Sequence, residues 1–547
     1  MAAQIPTKTT VLVIGGGPGG SYAAAALARE GINTVVLEGD KFPRYHIGES
    51  MLASIRHLLR FVELDAKFDA YGFLKKPGAA FKLNPRKREG YTDFLAAGGP
   101  DNYAWNVIRS ESDKLMFDHA AESGANVFDG VQVKSVEFEG GVTPGLDSIE
   151  SLNPGRPISA TYMIKETNQT GQISFDYIID ASGRIGVLST KYMKNRRYNQ
   201  GLKNVANWAY WKGTNPYAPG TTRENSPFFE ALQDESGWAW FIPLHNGTTS
   251  VGIVENQKLS IEKKQASKAE NSHEFYLENL KLAPNLLALI GDATQVDKVK
   301  AASDYSYCAS SYAFPYARII GDAGCFIDPY FSSGVHLALV GGLSAAATIC
   351  ASIRGDVQET EAADWHSKKI ADAYTRFLLV VLSAYRQIRS QEEPVLADID
   401  EDHFDRAFAM FRPIIQGTAD VGNKKLSQEE LRKTLEFCAT AFEPVKSEED
   451  RTAAIKEITN NPNGTSYHAD LSSSQRSAVD HIRARKMMRT EDTVNIDSFG
   501  SDAIAGYVPH LKRGSLGLKQ VPKGSTDAVP GQMTPVHSHT TAVEVRA

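Results

Sequence analysis

The residues that could do chemistry begin at Gly15-x-Gly17-x-x-Gly20, which follows at once on the apolar run Val11-Leu-Val-Ile14. Glycine at these positions permits a tight turn and lets a helix N-terminus approach a pyrophosphate, whose charge is stabilised by free backbone N–H groups and by the helix dipole. Glu38 ends the next apolar run, at about the 20-residue spacing expected for an acidic group on an adenosine ribose. This spacing implies a bound dinucleotide, with a purely structural glycine turn as the plain alternative. No Ser-His-Asp arrangement, H-E-x-x-H zinc signature or Walker loop stands out, so no metal is expected. His46 and His336 read as satisfied core or surface histidines, with contact to cofactor or substrate as the sharper alternative.

Those residues need a scaffold. Residues 11 to 14 read as a strand, 21 to 30 as an Ala-rich helix ending before Gly31, and 34 to 37 as a second strand: a βαβ unit opening an α/β fold. Two later segments repeat strand then glycine turn and read as returns to the same sheet: Tyr177-Ile178-Ile179 before Asp180-Ala-Ser-Gly183, and Arg318-Ile-Ile320 before Gly321-Asp322-Ala-Gly324. Between them lies an aromatic region with alternating stretches such as 249 to 254, which suits an antiparallel substrate-binding sheet. Gly334 to Ile353 is uncharged and long enough to span a membrane, but Gly, Ala and Ser dominate it, so it reads as a buried helix and no membrane span is expected. Beyond Thr360 the pattern turns helical, with Ser427-Gln-Glu-Glu430 as a capping box. From about Val521 onward, Pro, Gly, Ser, Thr and His without apolar periodicity indicate a disordered tail.

The composition narrows the class. The chain has 547 residues, 42% of them hydrophobic, enough to bury a large core. With 59 basic and 65 acidic residues the net charge is −6, and the basic runs at Arg86-Lys87-Arg88 and Lys194-Asn195-Arg196-Arg197 are isolated, which argues against a nucleic-acid partner. Four cysteines without C-x-x-C spacing read as small hydrophobes in a reducing compartment, so redox work falls to a cofactor. The N-terminus lacks the pattern of a secretion signal, and a cytoplasmic enzyme is the expectation.

The string Gly237-Trp238-Ala239-Trp240-Phe241-Ile242-Pro243 resembles the W-x-W-x-I-P signature of the flavin-dependent halogenases. Pro43-Arg44-Tyr45-His46-Ile47-Gly48-Glu49-Ser50 and Gly321-Asp322-Ala323-Gly324 … Asp328-Pro329 resemble flavin-binding segments of the same glutathione-reductase-like superfamily, and the strings around Met51 and Phe331 are most similar to fungal phenolic halogenases. The resemblance implies an FAD-binding Rossmann domain, an antiparallel-sheet substrate domain and a C-terminal helical region. It places FAD-binding segments at 1–110 and 111–190, the substrate sheet at 191–315, an FAD-binding return with a halide site at 316–355, the helical region at 356–520 and the tail at 521–547.

The family's roles carry over residue by residue. FAD, used as FADH2, would be held by Gly15, Gly17, Gly20, Glu38, Arg44, Ser50, Arg109 and Asp322. Chloride or bromide would sit on the backbone amides of Ser333 and Gly334, where successive N–H groups opening a helix form an anion nest; a capped helix start is the alternative. With O2, the halide would be oxidised at a flavin C4a-hydroperoxide to hypohalous acid. Trp238, Trp240 and Pro243 would separate flavin from substrate, and the oxidant would cross to Lys76, which forms a chloramine or directs the oxidant by a hydrogen bond. Lys75 beside it leaves the assignment open to a one-residue slip, and a solvated surface lysine is the ordinary case. The substrate implied is a phenol of the aromatic polyketide class, and a separate NAD(P)H-dependent flavin reductase would supply the reduced cofactor, because no second dinucleotide fingerprint is visible. An FAD-dependent aromatic monooxygenase, which inserts oxygen, is the competing reading.

Overall fold

A computed structural model describes residues 4–86, 88–139, 153–391, 448–460, 471–476, 478–479 and 503–521. The expected capping box and C-terminal tail lie outside them.

The first sheet has eight strands. Strand Lys8–Ile14 is its centre, paired in parallel with Thr34–Glu38 on one side and Thr170–Asp180 on the other; Asn126–Asp129 and Ala317–Ile319 extend the parallel set outward. Thr34–Glu38 is buried throughout, as a strand covered on both faces must be. The glycine turn then feeds helix Pro18–Arg29, whose Pro18 occupies the first turn where its missing N–H costs nothing. Gly15 has φ +101°, and a Cβ there would stand 2.2 Å from the Ala181 carbonyl oxygen, so only glycine lets the two strand ends approach. At Gly20 a Cβ would meet the Gly15 oxygen at 2.0 Å, so this glycine serves close helix–strand packing and not the cleft surface.

The second sheet also has eight strands and is antiparallel except where Phe228–Ala231 runs parallel to Gly78–Lys82. The long strand Arg196–Lys212 pairs with Thr248–Asn256 and Lys300–Ala309, and Gly237–Pro243 lies next to Thr248–Asn256. The alternation expected at 249 to 254 is absent, because that strand is buried on nearly every residue. Trp208, Trp238 and Trp240 pack into the main core on one face, while Val251, Ile253, Tyr276 and Leu286 form a second core on the other.

Two segments depart from the expected domain boundaries. Gly78–Lys82 and Gly90–Asp93 leave the FAD-binding stretch and extend the second sheet, so the 1–110 segment contributes to both layers. The region at 356–520 opens on the expected helix, Glu359–Ile388, but its described end is a hairpin of Tyr507–His510 and Gly517–Gln520. The hairpin is pinned by the Trp365 indole N–H donating to the Tyr507 carbonyl at 3.1 Å.

Helix Gly334–Arg354 is long and apolar enough to cross a membrane, and 89% of its most apolar window is buried inside the protein. It packs on helices Pro18–Arg29 and Glu359–Ile388. Gly342 sits where a Cβ would be 2.8 Å from the Gly19 carbonyl oxygen, which explains the small residues that first raised the question of a span.

Candidate active site

The two sheets enclose a cleft of about 510 Å³. Gly15 and Gly17 line it with Glu38 and Arg44, as do Asp322, Ser332, Gly334 and Val335 from the later glycine turn and the start of the following helix. Gly17 caps the Pro18–Arg29 helix without any side-chain hydrogen bond, leaving first-turn amides for a ligand anion. Glu38 accepts from the Gly16 and Asp40 amides at 2.6 and 2.8 Å, one on each carboxylate oxygen. Each oxygen keeps a further lone pair, which suits ribose hydroxyls.

Arg109 is buried and makes a bidentate pair with the fully buried Asp113 at 2.8 and 3.0 Å. Its other nitrogen donates to the Ile47 and Gly48 carbonyls at 2.9 and 3.3 Å, so it ties the loop carrying Tyr45 to Ser50 against helix Arg109–Glu122. Arg44 reaches the same Asp113 at 3.1 Å. Beside this cluster the Arg109 charge holds His46 down to about 4. Asp322 is pushed up to about 6 by burial, against the pull of Arg184, Arg109 and Arg196.

Lys76 ends strand Leu74–Lys76, which pairs with Ala104–Asn106. Strand alternation puts Lys75 in solvent over the Tyr103 ring and Lys76 inside, 1% exposed. The Lys76 amine donates to Ser50 Oγ at 2.8 Å and to the Met51 carbonyl at 2.9 Å, and it lies 5.2 Å from the Phe94 ring centroid. Ser50 belongs to the cleft wall, so the amine stands one hydroxyl behind it. Burial pushes this amine down from 10.5 to about 7. Between those two pH values the unfolded chain binds more protons than the folded one, so the cost of burying Lys76 is full below about pH 7 and fades as pH rises towards 10.5. The stability of the wild type relative to Lys76→Met should therefore rise across that window, with a slope approaching ~1.4 kcal/mol per pH unit. Urea unfolding at several pH values measures it, and a flat difference would mean the amine is hydrated.

Trp238 and Trp240 project to the same face of their strand, with ring centroids 5.9 Å apart, and Trp208 continues the row 6.3 Å from Trp240. All three line the cleft with Phe229. Pro243 ends the strand at the sheet rim, partly exposed and away from the cleft wall. The Trp238 indole donates to the Tyr385 hydroxyl at 2.8 Å, and that hydroxyl donates to Asp328 at 2.6 Å. Asp328 also caps the turn Pro329–Phe331 through the Tyr330 amide. Tyr385 thus locks the tryptophan row to the turn preceding Ser333, a role no sequence pattern announced.

Ser332 adopts φ +57°, which turns the chain so that Ser333 starts helix Gly334–Arg354. Ser333 caps that helix without a side-chain bond, and its buried Oγ has no partner. Its side chain lies behind the cleft surface, which Ser332 and Gly334 form on either side. A Cβ built on Gly334 would meet nothing within 4 Å, so the backbone there is bare toward open space. His336 is fully buried, with Nδ1 2.9 Å from Ser54 Oγ, as the plainer of its two readings anticipates.

The cleft therefore fits a dinucleotide running from the first glycine turn to the Gly334 helix. A model of the FAD binding domain matches residues 8–369. The flavin-dependent halogenase ascD of Acremonium egyptiacum is 71% identical over 539 residues, covering 98% of this chain and 96% of that one.

The chain belongs to the flavin-dependent halogenases.

The sulochrin halogenase gedL of Aspergillus terreus is 52% identical to this halogenase over 521 residues, 94% of each chain. Among solved structures, the flavin-dependent halogenase CmlS superposes with a TM-score of 0.65 at 25% identity, covering 94% of this halogenase and 84% of that chain. The halogenase is thus an FAD-dependent oxidoreductase with the expected α/β, Rossmann-type FAD-binding fold. The residues that sequence reasoning passed over are Tyr385, Glu49 and Asn106. Asn106 is fully buried, bridges Ser50 through the backbone and carries an amide without partners.

Proposed function

We propose that this halogenase installs chlorine or bromine on an electron-rich phenol of the aromatic polyketide class, with Lys76 directing the oxidant. The observation that carries the reading is the buried Lys76 amine held on Ser50, because a desolvated amine one hydroxyl from a cofactor cleft has little structural purpose. The name of the sulochrin halogenase supports a phenolic substrate. Reduced FAD with O2 would supply the oxidation of halide to hypohalous acid.

The chain's own residues divide the remaining work. Gly15, Gly17 and Glu38 would hold the cofactor's pyrophosphate and ribose, and Arg44, Arg109 and Asp322 would complete its site. Amides at Ser333 and Gly334 favour an anion at the helix N-terminus. The tryptophan row denies a substrate ring direct access to the cofactor, so that only a small oxidant passes. Ser50 and Lys76 then receive it, the amine either taking the halogen or orienting the oxidant by a hydrogen bond. A separate NAD(P)H-dependent flavin reductase would keep the cofactor reduced, and the enzyme would work in the cytoplasm.

The test offers a panel of free phenols and their carrier-bound thioesters to the enzyme, with reductase-supplied FADH2 and with chloride, bromide or neither. Product mass should show halogen in place of hydrogen only when halide is present. Addition of oxygen regardless of halide would favour the aromatic monooxygenase reading instead. Gly334→Ala checks the halide position. The new methyl has room in the fold, so stability should hold, while the KM for chloride rises about tenfold, roughly 1.4 kcal/mol. An unchanged chloride KM would remove the Gly334 amide from the site.

A further inference from the structure

Glu49 is 3% exposed and forms part of the cleft wall, yet its carboxylate is only half satisfied. The Tyr210 hydroxyl donates to Oε1, whereas the buried Oε2 makes no formed hydrogen bond, the Ser250 hydroxyl lying near enough to pull on the carboxyl without closing one. A buried, unpaired carboxylate oxygen costs free energy unless a ligand or a proton meets it. The hydroxyl of Tyr210 is in turn 3.1 Å from that of Tyr45, which accepts from the Trp208 indole at 2.7 Å. Tyr45 is 52% exposed. A continuous row of exchangeable protons therefore runs from solvent at Tyr45, through Tyr210, to a carboxylate in the cleft wall.

Resting on the halogenation reading above, we propose that Glu49 delivers a proton to the cofactor cleft and is reloaded from solvent through Tyr210 and Tyr45. The reaction requires one. Turning reduced flavin, O2 and chloride into oxidised flavin, hypochlorous acid and water takes up one proton from outside, and the tryptophan row closes the cleft on that side. In the relay the proton leaves Glu49 Oε2, the Tyr210 proton moves to Oε1, the Tyr45 proton moves to Tyr210, and water restores Tyr45. No electrons are transferred along it.

The surroundings suit an acid that gives and regains a proton near neutrality. Burial raises the Glu49 carboxyl to about 7, while the hydroxyls of Tyr210 and Ser250 and the charges of Arg109 and Lys300 pull it down. Lys300 also lies over both tyrosine rings, at 5.4 Å from Tyr45 and 5.0 Å from Tyr210, and Asp297 bears on Tyr45 from the opposite sign.

The test has two parts. In the FAD-free chain, infrared difference spectroscopy should show a carboxyl titrating near neutral pH that vanishes in Glu49→Gln, moves up in Tyr210→Phe because a stabilising donor is lost, and stays put in Tyr45→Phe. In the FAD-loaded enzyme, Tyr45→Phe and Tyr210→Phe should slow chlorination several-fold and enlarge its solvent deuterium isotope effect, and Glu49→Gln should slow it by roughly 100-fold, with FAD affinity kept. No carboxyl lost in Glu49→Gln, or a wild-type pH profile and isotope effect in that variant, would overturn the relay. The infrared titration needs no turnover, so its failure is distinct from that of the halogenation reading, which falls if the wild type yields no halogenated product.

Discussion

Lys76→Ala is expected to cut halogenated product by two orders of magnitude or more, on the roughly 10²–10⁴-fold scale of losing one group that acts on the reacting atoms. Consumption of reduced flavin and O2 should continue at the wild-type rate, because the amine stands behind Ser50 and outside the cleft wall. The split between the two rates separates a residue that handles the oxidant from one that builds the cofactor site. Lys75→Ala serves as the control: its charge is in solvent, and its removal should leave both rates alone. Product formation unchanged in Lys76→Ala would take Lys76 out of the chemistry. A parallel fall in both rates would make it a structural prop for the Ser50 loop.

The second large effect is on the fold. Arg109→Leu leaves Asp113 fully buried with Arg44 as its remaining cation, and breaking such a pair from one side costs about 3–5 kcal/mol. It also frees the Ile47 and Gly48 carbonyls, so the loop that carries Glu49 and Ser50 loses its anchor. Both stability and FAD affinity should fall. The double replacement Arg109→Leu with Asp113→Leu removes the orphaned charge and should recover part of the stability, since apolar pairs of similar volume often replace buried ion pairs without loss. It should not recover FAD affinity. Urea unfolding and flavin fluorescence quenching read the two quantities, and an Arg109→Leu chain within about 1 kcal/mol of wild type would contradict the account.

The parts of this architecture legible in the sequence are those set by local chemistry. Gly15 turns the chain at φ +101° and Gly20 packs on the Gly15 carbonyl within one βαβ unit, and the period of two along Gly237–Pro243 puts Trp238 and Trp240 on one face wherever that strand lies. The same period separates Lys76 from Lys75, once their segment is known to be a strand. What could not be read depends on partners far along the chain. Gly78–Lys82 joins the second sheet because Phe228–Ala231 offers it an edge, and Thr248–Asn256 loses its alternation because a second core covers its outer face. Glu49 sits inside a motif recognisable for flavin binding, yet its one hydrogen-bonded oxygen is met by Tyr210, on a strand of the second sheet. Tyr385 likewise gains meaning only where its helix brings it between Trp238 and Asp328.

In the function proposed above, oxidant would arise in the cleft along the glycine turn and the Gly334 helix and be consumed at Lys76 behind Ser50, while the tryptophan row keeps the substrate ring off the cofactor. A crystal structure of the enzyme with FAD and a phenolic substrate bound together tests this most directly. The phenol ring should lie on the Lys76 side, with Trp238 and Trp240 between it and the isoalloxazine. A ring stacked on the isoalloxazine, with no passage leading to the Lys76 amine, would contradict it.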